Sequence, residues 1–232
     1  ALCFGNRPAW YEVDDGRTLT FAEYKKKVDC LACGLQWEGV KKGDRIGVLG
    51  KNSLEYFLLY GAASALGAVM LPINWRLSAE EIQFNFSDCE PEILFADEEY
   101  QDLVNGIKNK LLSIRKYYNL KPPGGSFIEF DSLLENRGDL MPAEVAVDDG
   151  YVIIHTAAVK GRPRGALLSH GNVLFADMHW NCCLQMTCED VHLNLLPLFH
   201  VGGLFMATNS FHAGALTVNM SGSLNVKRGH QR

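Results

Sequence analysis

Thr156-Ala157-Ala158-Val159-Lys160-Gly161-Arg162-Pro163-Arg164-Gly165 is the segment whose residue types and spacing point most directly to chemistry. Lys160, Arg162 and Arg164 set three cations within five residues, in a loop punctuated by Gly161, Pro163 and Gly165. The apolar run Tyr151–Thr156 before it reads as a buried strand, and Ser169-His170-Gly171-Asn172 after it opens a helix. Cations gathered at the carboxyl end of a strand suit a polyanion such as a nucleotide phosphate. Gly-Lys-Ser/Thr is missing, so the loop is not a Walker A loop. By itself such a loop is more often a solvated basic turn.

A second candidate is His200, in Pro197-Leu198-Phe199-His200-Val201-Gly202-Gly203. A lone histidine in an apolar segment is more often a core or helix-start residue than a ligand. Cys30 and Cys33 have CxxC spacing inside a helical pattern, without a second such pair, and read as small packing residues. Trp10, Trp75 and Trp180 read as core.

These candidates need elements to hold them. With 47% hydrophobic and 21% charged residues, the 232-residue chain has globular composition and enough length for a real core. Its charge of 22 − 27 = −5 removes the basic excess of a nucleic-acid binder. Its 7 cysteines are an odd number, and no signal peptide opens the chain, so a reducing, cytoplasmic setting is expected, with peripheral membrane attachment left open. The stretches Tyr56–Trp75 and Val191–Val226 lack Asp, Glu, Lys and Arg. Glycines, prolines and asparagines cut both into strand- and helix-sized pieces, so neither is expected to span a membrane.

Trp10–Val13 and Thr18–Thr20 flank Asp14-Asp15-Gly16-Arg17 as a hairpin. Phe21–Gln36 repeats apolar residues every three or four positions and predicts a helix. Ser53 and Ser78 open two more helices, the second with Glu81 in capping-box spacing. Strands are predicted at Arg45–Leu49, Ala68–Ile73, Glu92–Ala96, Tyr151–Thr156, Ala166–Leu168, Val191–Leu196 and Ala215–Asn219, and a helix at Val201–His212. The alternation predicts an α/β fold of parallel sheets flanked by helices. The pattern weakens between Glu98 and Asp149, and Met141–Asp149 reads as a linker. The division is therefore into an α/β subdomain with a leading hairpin over 1–149 and the start of a second over 150–232.

Four elements in order resemble the adenylate-forming superfamily of acyl-CoA synthetases, luciferases and adenylation domains. They are Leu19-Thr20-Phe21-Ala22-Glu23-Tyr24, Gly67-Ala68-Val69-Met70-Leu71-Pro72-Ile73-Asn74, the loop from Thr156 with its Ser-His-Gly-Asn, and Pro197–Gly203. The resemblance implies the amino-terminal portion of the acyl-CoA synthetase fold. It also implies ligation of a fatty or aryl carboxylate to CoA at the expense of ATP with Mg²⁺, through an acyl-AMP. It makes Thr156 and Gly161 the family's phosphate-loop Thr and Gly, and Arg164 the replacement of its Lys. Ala157, Ala158, Val159 and Lys160 stand where the family carries Ser-Gly-Thr-Thr or Ser. Each lost hydroxyl contact costs about 1 kcal/mol, which the Lys160 cation offsets in part. His200, Gly202 and Gly203 correspond to the carboxylate and acyl pocket, while Phe199 packs and His155 replaces a Tyr in a structural role.

No metal ligand or catalytic residue is assigned within the chain. The family's Tyr-Gly-x-Thr-Glu element and C-terminal Lys have no counterpart before Arg232, and residues 224–232 are either a remnant of the next element or an appended tail. The expectation is therefore the amino-terminal part of a longer ligase, inactive alone, whose exposed interface favours self-association, a homodimer included. The alternative is a family member that has lost adenylation and serves as an acyl-binding or interaction module.

Overall fold

The computed structural model describes residues 3–122, 124–135, 138–156 and 163–221. Strand β1 (Pro8–Glu12) turns through Asp14–Gly16 into β2 (Thr18–Thr20), and α1 (Phe21–Trp37) follows directly. Then come β3 (Arg45–Leu49), α2 (Leu54–Leu66), β4 (Val69–Pro72), α3 (Ala79–Cys89), β5 (Ile93–Ala96), α4 (Glu98–Ile107) and β6 (Lys116–Asn119). The remainder is β7 (Gly150–His155), β8 (Gly165–Ser169), α5 (His170–Leu184), β9 (Val191–Asn194), α6 (Val201–Ala213) and β10 (Leu216–Asn219). Ser53, Ser78 and Ser169 cap their helices as their spacing predicts, the last two in capping boxes. Gly67 ends α2 at φ 64°, a left-handed position that L side chains resist.

Two sheets result, ordered β2-β1-β10-β9 and β6-β5-β3-β4-β7-β8. Both draw strands from either side of residue 150. In the larger sheet the pairs among β3, β4, β5, β6 and β7 are parallel, as the β/α alternation predicts. The leading hairpin is found as predicted, with β2 antiparallel to β1, and the expectation of parallel units is corrected at one edge, where β8 runs antiparallel to β7. The reason is connection length, because a parallel return needs a crossover of a dozen or more residues and only residues 156–164 separate β7 from β8. Strand β9 stops at Asn194 and leaves Val191 and Leu193 exposed, because it lies at the edge of the smaller sheet.

Alternate residues of the central strands face opposite ways and feed two cores. Ile46, Val48, Met70, Phe95 and Val152 pack with α1 and α2, whereas Leu49, Leu71, Leu94 and Ala96 pack with Ile82 and Phe86 of α3 and Val104 of α4. A strand covered on both faces must be apolar throughout, which is why these strands lack polar alternation. Phe211 of α6 meets Tyr24 of α1 at 4.6 Å and Phe57 of α2 at 5.6 Å between ring centroids, tying α6 to the helices on that face. Among the described residues no helix is long and apolar enough to cross a membrane.

Candidate functional site

A cleft of about 920 Å³ opens at the carboxyl ends of β4 and β7. Pro72 and Asn74 line it from β4, and Ile154, His155 and Thr156 from β7. Glu80, Glu81, Phe84 and Asn85 of α3 form another wall, and Phe199, His200 and Val201 line it from the start of α6. Carboxyl ends of parallel strands are where open α/β sheets receive ligands. Two sequence candidates from separate motifs, Thr156 and His200, thus share one cavity.

Thr156 closes the base of the β7–β8 hairpin. Its backbone N–H donates to the Arg164 carbonyl at 3.0 Å, and its hydroxyl reaches the same oxygen at 3.4 Å. Thr156 and Arg164 are both exposed, and Arg164 is not among the residues lining the cleft. Ala157, Ala158, Val159, Lys160 and Gly161 lie outside the described residues, as does Arg162.

His200 is the N-cap of α6, and its Nδ1 accepts the Gly202 N–H at 3.1 Å. An Nδ1 that accepts leaves the proton of the neutral ring on Nε2, which can donate to an anion. The helix-start role and a ligand role are therefore compatible. Gly202 and Gly203 serve close packing behind the histidine and do not line the cleft. A Cβ on Gly203 would stand 2.2 Å from the Pro197 carbonyl oxygen, and one on Gly202 would stand 3.3 Å from His200 Nδ1.

The segment before His200 is held by residues that carry no signal in the sequence. Asn52 Nδ2 donates to the Leu196 carbonyl at 2.9 Å, while its Oδ1 accepts the Leu198 N–H at 2.8 Å. Tyr60 donates its hydroxyl to the Leu198 carbonyl at 2.8 Å. Both come from the α2 region, so the element that fills the core also fixes the loop bearing His200. The Arg76 guanidinium lies 4.4 Å from the Trp75 ring centre and 6.0 Å from that of Phe199, which lines the cleft. Phe199 is half-buried and lines the cleft as well as packing. Asn85 is fully buried on the cleft wall, with neither side-chain polar atom partnered among the described residues.

The remaining sequence readings divide. Trp10 is fully buried and stacks on Phe57 at 4.7 Å, as expected for core. Trp75 is half-buried and packs against the core faced by α3 and α4, whereas Trp180 is 44% exposed on α5, so the core expectation is corrected for Trp180. A period-matched tryptophan looks alike in sequence whether its helix face is covered or open. Cys33 is buried and Cys30 half-buried, both as free thiols. His155 is half-buried, with Nε2 3.8 Å from Cys89 Sγ, and burial lowers its pKa. Burial likewise pushes the Cys89 thiol up to about 11.

A mixed α/β sheet with a cleft at its strand ends, faced by the base of the β7–β8 hairpin and a helix start, defines a ligand-binding α/β enzyme domain. The chain belongs to the family of AMP-binding enzymes, whose sequence pattern matches residues 1–229. It is 33% identical over 205 residues to an indoleacetate–CoA ligase of Aromatoleum aromaticum, covering 87% of this chain and 40% of the relative. It is 30% identical over 218 residues to the long-chain-fatty-acid–CoA ligase FadD13 of Mycobacterium tuberculosis, covering 91% of this chain and 42% of that one. Among solved structures, the N-terminal domain of FACL13 from Mycobacterium tuberculosis superposes with a TM-score of 0.87 at 26% identity, over 98% of this chain and 56% of that one. The chain thus spans about 40% of the length of these two curated relatives. Its fold is that of the amino-terminal domains of acyl-CoA synthetases.

Proposed function

We propose that the chain supplies the phosphate loop and the carboxylate-side wall of an AMP-forming acid–CoA ligase. In the first step a carboxylate oxygen attacks the α-phosphorus of ATP, and pyrophosphate leaves as acyl-AMP forms. In the second the CoA thiol attacks the acyl carbon, the thiol proton is lost and AMP departs. The observation that supports this best is the single cleft shared by Thr156 and His200. The Thr156 hydroxyl, Lys160, Gly161 and Arg164 hold the β- and γ-phosphates, with Mg²⁺ entering as the counter-ion of ATP. His200 donates from Nε2 to the carboxylate. Leu77, Phe84, Ile154, Leu168 and Val201 give the cleft apolar walls suited to a fatty or aryl group. The named substrates of the two curated relatives are one aryl acid and one fatty acid. The chain alone is not expected to turn over.

Ala157, Ala158 and Val159 leave the cations to supply contacts that hydroxyls would otherwise make. In the full-length protein Lys160→Ala or Arg164→Ala is expected to weaken ATP about ten- to a hundredfold, as loss of an ion–phosphate contact of about 1.5–3 kcal/mol requires. Carboxylate binding should hardly change. With Ser, Gly and Thr introduced at Ala157, Ala158 and Val159, the Lys160→Ala loss should shrink, because the contacts become redundant. ATP titration decides it: unchanged affinity in both alanine variants would remove the phosphate role of this loop. The same lost hydroxyls favour the second reading, an acyl-binding module without adenylation, in which carboxylate binds and ATP does not.

A further inference from the structure

Asp88 and Cys89 close α3, and His155 is the last residue of β7. A carboxylate oxygen of Asp88, Cys89 Sγ and a ring nitrogen of His155 all lie within 4.8 Å of one another. The Sγ–Nε2 separation is 3.8 Å. A tetrahedral Zn²⁺ with arms of about 2.3 Å to sulfur and about 2.0–2.1 Å to nitrogen sets those two atoms about 3.5 Å apart. The pair is therefore spaced within a few tenths of an ångström of what such an ion requires.

We propose that Asp88, Cys89 and His155 form a three-ligand site for a thiophilic divalent cation, Zn²⁺, with the fourth position left to water. Thiolate, imidazole and carboxylate together suit Zn²⁺ and not Mg²⁺, which takes oxygen ligands, so the site is chemically separate from the ion carried by ATP. The backbone on both sides is fixed. Glu90 ends α3 in a left-handed turn at φ 48°, and Arg45 donates from Nε to the Cys89 carbonyl at 2.8 Å. Across the sheet His155 pairs with Gly165, where a Cβ would stand 3.4 Å from His155 Nε2 and 3.7 Å from Cys89 Sγ. The glycine is required by Ile153, whose Cγ2 would stand 2.7 Å from that Cβ, and it borders both ligand atoms. Binding releases the Cys89 thiol proton to solvent. His155 Nδ1 has no hydrogen-bond partner among the described residues. Without that outer partner the site is expected to bind about 10- to 100-fold more weakly than one whose histidine is so held. The ion would join the end of α3 to the end of β7, one residue before Thr156.

Co²⁺ titration of the purified chain tests this through the thiolate-to-cobalt charge-transfer band. The background is Cys182→Ser with Cys183→Ser, because His179 Nε2 lies 3.7 Å from Cys183 Sγ on α5 and could bind cobalt itself. The expected result is a band that saturates at one ion per chain, is displaced by Zn²⁺ and disappears in Cys89→Ser. Asp88→Asn and His155→Gln should each weaken binding about tenfold or more. Zn²⁺ should raise the melting temperature of the background protein and leave that of Cys89→Ser unchanged, which separates lost binding from lost folding. Absence of the band in the background protein, or its survival in Cys89→Ser, would overturn the proposal.

Discussion

Glu12 shows how far single side chains here depend on distant partners. It is buried in β1, accepting from Trp10 Nε1 at 3.2 Å and from Asn219 Nδ2 at 2.9 and 3.1 Å. Desolvation outweighs those bonds, and its pKa is raised from 4.5 to about 7. Below pH 4.5 both folded and unfolded chains hold the proton. Between 4.5 and about 7 the unfolded chain has lost it and the folded chain has not, so stability must fall as pH rises through this window and level off above it. The interval corresponds to about 3 kcal/mol. Melting curves from pH 4.5 to 8 should show this slope in the native chain and a flatter one in Glu12→Gln; parallel profiles would refute the assignment. Nothing in the sequence marks Glu12, since its partner Asn219 lies at the other end of the chain. Asn52 is equally hidden between Lys51 and Ser53. His200 is legible because a proline, an aromatic and two glycines surround it, whereas the reason for those glycines needs the fold.

At the scale of elements, Gly203 lets α6 start directly after the Pro197 turn. Ala at this position would overlap a backbone carbonyl, so Gly203→Ala should destabilise the chain by about 2–3 kcal/mol. Gly106, near the end of α4, has nothing within 4 Å of the point where a Cβ would stand, and Gly106→Ala should stabilise by about 0.5 kcal/mol. Urea unfolding of the two variants checks the opposite signs. The β/α alternation is readable wherever serine caps and glycine stops bracket an apolar run, as at Ser53–Gly67. It fails for α4, whose three turns carry Val104 and Ile107 but open on Glu98-Glu99, and for β6, whose four residues are too few to set a period. The antiparallel β7–β8 hairpin is readable from its short loop. The expectation of a uniformly parallel sheet comes from counting alternation and ignoring connection length.

For the whole molecule, the distribution of apolar surface matters most. Phe175 and Met178 of α5 are 71% and 66% exposed, and Leu196 is 54% exposed. Large apolar side chains exposed three residues apart on one helix, as Phe175 and Met178 are, often mark an interface. The remaining length of an enzyme of the relatives' size could cover it, since the chain spans about 40% of those two curated ligases. The arrangement places the cleft at the carboxyl ends of β4 and β7. Carboxylate-dependent exchange of labelled pyrophosphate into ATP by the full-length protein tests the ligase account most directly, because only reversible acyl-AMP formation produces it. The account predicts exchange with at least one fatty or aryl carboxylate and none without it. Absence of both exchange and ATP binding across these carboxylate classes would contradict it and leave the acyl-binding module.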